Sequence, residues 1–195
     1  MKILPSKNGN ETSSNGIVWE DCDDVYRPIK EEFVIFTQKH SLPPHFCSAY
    51  IAEIAIASLR CHLESDLKVE QGGILFGNAY IDSKLGAYVE IIEAIAAPAT
   101  IASSTYLKFT ANSWQGIMAY AKELAPGSQI VGWYHSHPDL GVFMSSVDMR
   151  THQAFFPHSW NLSIVYDPVK KEIGYFQGLK AKKVKPTIFS TWTKG

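Results

Sequence analysis

Two histidines two residues apart, His135 and His137, precede Pro138, and Ser145 and Asp148 follow within eleven residues of the second histidine. Along an extended strand, residues i and i+2 project from one face, so the two imidazoles form a clamp while Ser136 faces the other way. A His-x-His pair by itself also occurs on ordinary strand faces and in hydrogen-bonded cores. Asp148 adds a third donor. If Ser145 begins a helix, Asp148 falls in its first turn, where the helix dipole favours a carboxylate, and it can turn back towards the imidazoles. The same Ser-x-x-acid spacing also reads as a capping box, and the two readings are compatible. Two imidazoles and a carboxylate suit Zn2+, and three protein ligands leave the fourth tetrahedral position to water, as in catalytic rather than structural zinc sites.

A water activated in this way needs a carboxylate to take its proton and pass it to a leaving group. Within the loop only Asp139 is spare. Upstream stands Glu70, at the head of Glu-Gln-Gly-Gly-Ile-Leu-Phe-Gly, where glycines at 72, 73 and 77 allow neighbouring backbone to approach closely. Taken alone, Glu70 reads equally as an exposed acid in front of a strand.

The elements that must position these groups follow from hydrophobic periodicity. Residues 44–63 carry Ile51, Ile54, Ala55, Leu59 and Leu63 at helical spacing, which predicts an amphipathic helix packed on a sheet. Residues 69–80 and 87–97 read as antiparallel strands joined by the turn residues 82–86, and residues 33–36 as a short first strand. A second helix is predicted over 112–124, with the stripe Trp114, Ile117, Met118, Ala121 and Leu124, ended by Pro126-Gly127. The clamp lies on a strand, 129–137, that Pro138 terminates. A third helix spans 145–156, and a final hairpin pairs 160–166 with 173–178 around Asp167-Pro168. The expected class is α+β: a curved, mainly antiparallel sheet flanked by about three helices in α/β/α layers.

The length of 195 residues and a hydrophobic content of 46% fit one domain with a sizeable core. Residues 1–30 are expected to be a flexible tail, 31–180 the domain, and 181–195 a basic C-terminal tail. Eighteen basic and nineteen acidic side chains nearly cancel, so neither nucleic acid nor a membrane surface is expected as partner. Three cysteines without paired spacing, no secretory leader, and an apolar run at 51–63 broken by Glu53 and Arg60 point to the cytoplasm. The acidic run Glu20, Asp21, Asp23, Asp24 and the lysines at 180, 182, 183 and 185 read as solvated segments.

The constellation resembles the JAMM (MPN-plus) metalloproteases. Their pattern is an upstream Glu, then His-Ser/Thr-His-Pro, then Ser-x-x-Asp seven residues beyond. Here Glu70 and His135-Ser136-His137-Pro138 are followed, after residues 138–144, by Ser145-Ser146-Val147-Asp148. The resemblance spans about residues 45–178. It implies an MPN/JAB (cytidine deaminase-like) fold, one Zn2+ ligated by His135, His137 and Asp148, Glu70 as general acid/base, and Ser145 as the hydroxyl that steadies the oxyanion. It further implies a zinc isopeptidase or peptidase that cleaves after the C-terminus of a ubiquitin-like protein, in deconjugation or precursor processing. Release of cysteine or a short peptide from a sulfur-carrier protein is the alternative, and a non-catalytic MPN scaffold a third reading. The implied partner is a ubiquitin-like or sulfur-carrier protein with an extended C-terminal tail, joined by E1-like or E2-like proteins of the same operon. Members with a second, structural zinc carry a His where this chain has Arg150 and Cys or His ligands further on, whereas no cysteine follows Asp148. No second zinc is therefore expected, despite His152 and His158. The short segments at 98–109 and after the third helix resemble the compact prokaryotic branch, some of whose members serve antiviral defence.

Overall fold

Ile74, Leu75 and Phe76 are consecutive on one strand and all buried, which requires apolar cover on both faces of the sheet. A computed structural model, which describes residues 48–82, 86–98, 100–103 and 106–190, supplies that cover. The described elements run β1 (Ser48–Ala52), α1 (Glu53–Leu63), β2 (Gly72–Asp82), β3 (Gly86–Ala96), β4 (Ile101–Ser103), β5 (Tyr106–Lys108) and α2 (Ala111–Leu124). They continue with β6 (Gln129–Ser136), α3 (Ser146–Phe155), β7 (Leu162–Asp167), β8 (Glu172–Gln177), β9 (Lys182–Lys183) and β10 (Thr187–Phe189). Eight strands form one sheet in the order β10-β1-β3-β2-β6-β7-β8-β9, and β4 pairs with β5 separately. The β2–β3, β2–β6, β7–β8 and β8–β9 ladders are antiparallel, while β1 runs parallel to β3 and β10, and β6 parallel to β7.

Each face of the sheet has its own core. Ala55, Ile56, Leu59 and Leu63 of α1 pack with Ile51, Leu75, Val89, Ile91 and Tyr134. On the opposite face Ile74, Phe76, Ile95 and Trp133 pack with Ile117 and Ala121 of α2 and with Phe156 at the end of α3. This is the expected α+β class with helices on both sides. Leu59 and Leu63 are wholly buried, and each contributes about 1.5–3 kcal/mol by leaving water. Register shifts at Leu75/Phe76 against β6 and at Phe76/Gly77 against β3 bend the sheet in the middle of β2.

Several expectations are corrected. The helix predicted over 44–63 begins only at Glu53, because Ser48–Ala52 is a strand lodged between β3 and β10. Ile51 therefore belongs to the sheet, Ile54 is exposed, and Ile56 takes the buried place. On α2 the buried face is Ser113, Ile117 and Ala121, and Met118 and Leu124 lie exposed. Thr110 and Ser113 form the capping box that starts this helix. The segment read as a basic C-terminal tail, 181–195, contributes β9 beside β8 and β10 beside β1, with Phe189 buried. Isolated lysines masked this, since two-residue and three-residue edge strands leave almost no periodic pattern. The proposed strand 33–36, the acidic run at 20–24 and the tail 1–30 lie outside the described residues.

Candidate metal centre

The central ladder sets the geometry. Gly72 pairs with His135 and Gly73 with Tyr134 in the β2–β6 register. Just beyond it, Gln71 N–H donates to Ser136 Oγ at 2.9 Å and Ser136 N–H donates to Gln71 O at 2.8 Å. Carried one step further, this register puts Glu70 opposite His137, and directly opposed residues on paired strands project to the same face. Gly72 and Gly73 permit the approach: a Cβ on Gly72 would stand 2.6 Å from Tyr134 O, and one on Gly73 would stand 2.6 Å from the Tyr134 hydroxyl. The Glu70 backbone is also tethered, its N–H donating to Ser103 O of β4 at 2.7 Å.

After His137 the chain must leave the sheet at once. His137 N–H donates to Tyr166 O at 2.9 Å, extending the β6–β7 pairing by one bond. Asp139 and Gly141 then adopt positive φ, 60° and 87°, which turns the loop back. Buried Asp167 fixes that turn: its carboxylate accepts from Asp139 N–H at 3.1 Å, Gly141 N–H at 2.8 Å, Val169 N–H at 2.9 Å and Lys170 N–H at 3.0 Å. Burial pushes the Asp167 carboxyl up, but these backbone donors outweigh it and hold it below the usual carboxylate range.

α3 supplies the third donor. Ser145 is its N-cap, and both arms of the capping box are present: Ser145 Oγ accepts from Asp148 N–H at 3.2 Å, and Asp148 Oδ2 accepts from Ser145 N–H at 2.7 Å. The same carboxylate faces the imidazoles, so capping and metal-donor readings hold together. His135 Nε2 and His137 Nε2 lie 3.2 Å apart, and each is 3.4 Å from a different oxygen of Asp148. Metal–ligand bonds of about 2.0–2.1 Å set tetrahedral donors about 3.3 Å apart; the two imidazole nitrogens stand at about that separation, each at a similar distance from one carboxylate oxygen, and one ligand atom from each residue lies within 4.8 Å of the others. The donor set therefore fits one such ion, and all three side chains are buried. Glu70 Oε1 lies 3.8 Å from His137 Nε2.

The environment sorts the four groups electrostatically. Burial, the strongest influence, and the neighbouring Asp148 raise the Glu70 carboxyl to about 7 against the pull of His137. Burial also works to raise Asp148, but hydrogen bonds and charge from His135 and His137, with Ser145, drive it well below the carboxylate range. His135 is lowered by burial despite Asp148, whereas His137 is raised, because Asp148 and Glu70 outweigh its burial. Two carboxyl groups in one cleft thus differ in basicity: one an anchor that stays ionised, the other near neutrality.

All five residues singled out from the sequence, Glu70, His135, His137, Ser145 and Asp148, gather here. Asp139 does not: its side chain is exposed and pairs with Lys170 at 3.2 Å. The sequence reading missed Trp133, whose ring stacks on His135 at 4.4 Å, Phe143, whose ring sits 4.8 Å from His137, and the loop anchor Asp167. It also set His152 aside with the second zinc. His152 is instead wholly buried, accepting from Trp133 Nε1 at 3.2 Å and meeting Gly178 O at 3.0 Å, and burial keeps it below its usual pKa. The spacing Asp148, His152, Phe156 places all three on one helix face and was the available signal.

The family model described as JAB1/Mov34/MPN/PAD-1 ubiquitin protease matches residues 45–157. COP9 signalosome complex subunit 5 of Drosophila melanogaster is 27% identical over 197 residues, covering 95% of this chain and 55% of that protein. Ubiquitin carboxyl-terminal hydrolase RPN11 of Saccharomyces cerevisiae is 27% identical over 129 residues, covering 65% and 40% respectively. The chain thus spans about half the length of the curated relatives it matches. The solution structure of protein DSY2949 from Desulfitobacterium hafniense aligns with a TM-score of 0.49 and 18% identity over 74% of this chain and 94% of that one. Among the described residues no helix is long and apolar enough to cross a membrane.

Proposed function

The chain belongs to the JAB1/Mov34/MPN/PAD-1 ubiquitin protease family, and from that premise we propose that it is a zinc-dependent isopeptidase acting at the C-terminus of a ubiquitin-like protein. The observation that carries the reading is the convergence of three ligand atoms with a fourth, separately held carboxylate, Glu70, 3.8 Å from His137 Nε2. A zinc ion held by His135, His137 and Asp148 would supply Lewis acidity, lowering the pKa of a water and polarising a carbonyl.

The remaining work falls to the protein's own groups. Glu70, whose burial raises its carboxyl to about 7 without a metal beside it, can accept a proton at its carboxylate oxygen and later return it to the departing amine. A neighbouring dication draws such a carboxyl down, which favours its ionised, proton-accepting form at the outset. Ser145 Oγ accepts from Asp148 N–H, and its O–H, which meets the Asp148 carboxylate, is the donor that would turn to an oxyanion. Asp148, held ionised, balances the metal charge. The two relatives are named for a signalosome complex and for ubiquitin carboxyl-terminal hydrolysis, which supports a ubiquitin-like substrate. β4, which accepts from Glu70 N–H at Ser103 O, and the loop carrying Phe143 flank the centre where an extended C-terminal tail would lie.

The test is incubation of the zinc-loaded chain with a ubiquitin-like protein bearing a C-terminal extension, and with its lysine-linked conjugate, followed by mass spectrometry. Cleavage directly after the tail is expected. Cleavage confined to a carrier protein's cysteine adduct would move the substrate to the sulfur-carrier class, and no cleavage of any of them by zinc-loaded chain would sink the enzymatic reading.

A further inference from the structure

Metal-bound imidazoles are commonly aimed by a hydrogen bond from the ring nitrogen that does not meet the metal. Here both histidines turn Nε2 towards Asp148, and Nδ1 of His135 is buried with no hydrogen-bond partner among the described residues. Some other contact must fix the plane of that ring. For His135 it is Trp133, whose indole lies at 4.4 Å with an interplanar angle of 10°. Residues 133 and 135 share a strand face, so the stack is built into β6.

The indole is itself locked. Phe156 lies parallel to it at 6.1 Å and 6°, and Phe109 meets it edge-on at 6.4 Å and 75°. Its Nε1–H donates to His152 Nδ1 at 3.2 Å. Because an indole N–H can only donate, His152 must carry its proton on Nε2. That Nε2–H donates to Gly178 O at 3.0 Å, at the end of β8. Every atom in this chain has one permitted role, so the tautomer of His152 follows from the geometry alone.

We infer that His152 and Trp133 are positioning residues for the metal ligand His135, a relay from the Gly178 carbonyl through imidazole and indole that sets the imidazole plane by stacking. The inference rests on the metal-centre reading above. It ties both ends of α3 to the same ion, since Asp148 in the first turn donates a ligand and His152, one turn on, orients another.

The test uses the full chain with Zn2+ and Co2+ as probes, and affinity is read by chelator competition well below each variant's unfolding midpoint. Trp133→Leu is expected to weaken Zn2+ binding about 10–100-fold and to alter the Co2+ absorption bands. His152→Leu should weaken binding in the same direction, while His152→Gln, which offers an acceptor oxygen and an N–H donor, should restore most of it. Trp133→Phe keeps a ring over His135 but has no N–H, and should lose measurable affinity though less than Trp133→Leu. Wild-type affinity in Trp133→Phe and in His152→Leu would overturn the inference and leave the metal centre standing, as would equal losses in His152→Gln and His152→Leu. A wild-type chain that binds no Zn2+ would instead overturn the metal-centre reading and this inference with it.

Discussion

The two halves of the site are held in different ways. The ligand half is local: His135, His137 and Asp148 come from one strand, one loop and the first turn of one helix, fourteen residues end to end. The base half is remote, since Glu70 precedes His135 by sixty-five residues and reaches the cleft only because β2 and β6 pair in one register. The ligand half is therefore secured by side chains, through capping, stacking and the carboxylate of Asp167. The base half is secured by backbone, through the ladder and the two glycines that let it close. On the proposed reading, binding a metal and using it would be separable properties.

Substitutions can break the comparison at either end. The largest effect is expected from His137→Ala or Asp148→Asn, which removes a ligand and should abolish both stoichiometric zinc, measured by elemental analysis, and all detectable cleavage. Glu70→Gln should split the halves: zinc content stays at the wild-type value while cleavage falls about 10²–10⁴-fold. Loss of zinc in that variant would show that the halves are not independent.

Gly73→Ala attacks the ladder itself, because the new methyl would meet the Ile95 carbonyl of β3 as well as the Tyr134 ring. A loss of about 1–3 kcal/mol in urea unfolding is expected, with cleavage by the folded fraction falling more than zinc binding.

The smallest effect belongs to Asp167→Asn, which weakens the anchor of the loop between His137 and Asp148. Asp167 is held below its unfolded pKa, so its contribution is complete above about pH 4 and disappears as pH falls through the lower folded value. The variant should be less stable at pH 7 by about 2 kcal/mol. Its deficit relative to wild type should shrink in unfolding curves taken towards pH 2.

What could be read in the sequence follows the same division. The ligand half was legible because its signals are local: the alternation that aims His135 and His137 together, the proline that ends the strand, and the serine that caps α3. The hairpin of β2 and β3 was legible from β-branched runs around turn residues. Glu70 had no local signal of its own, since a carboxylate before a strand is ordinary until the β2–β6 register is known; only a resemblance to a family pattern joined it to the histidines. Ser48–Ala52 was misassigned because Ala-Tyr-Ile-Ala is as compatible with a helix start as with a buried strand. Burial between β3 and β10, neither of them adjacent in sequence, decides the matter. The partnership of Trp133 with His152 was hidden for a similar reason. Each is unremarkable on its own element, and only packing of α3 on the sheet brings Trp133 Nε1 within 3.2 Å of His152 Nδ1.

The β2–β6 ladder also sets an order in time. The ligand residues lie close together along the chain and close only short loops, whereas Glu70 waits for a pairing across more than sixty residues, of the kind that makes folding slow. On the proposed reading, a folding chain would gather the candidate ligands before Glu70 joins them, so the capacity to hold a metal would precede the capacity to cut.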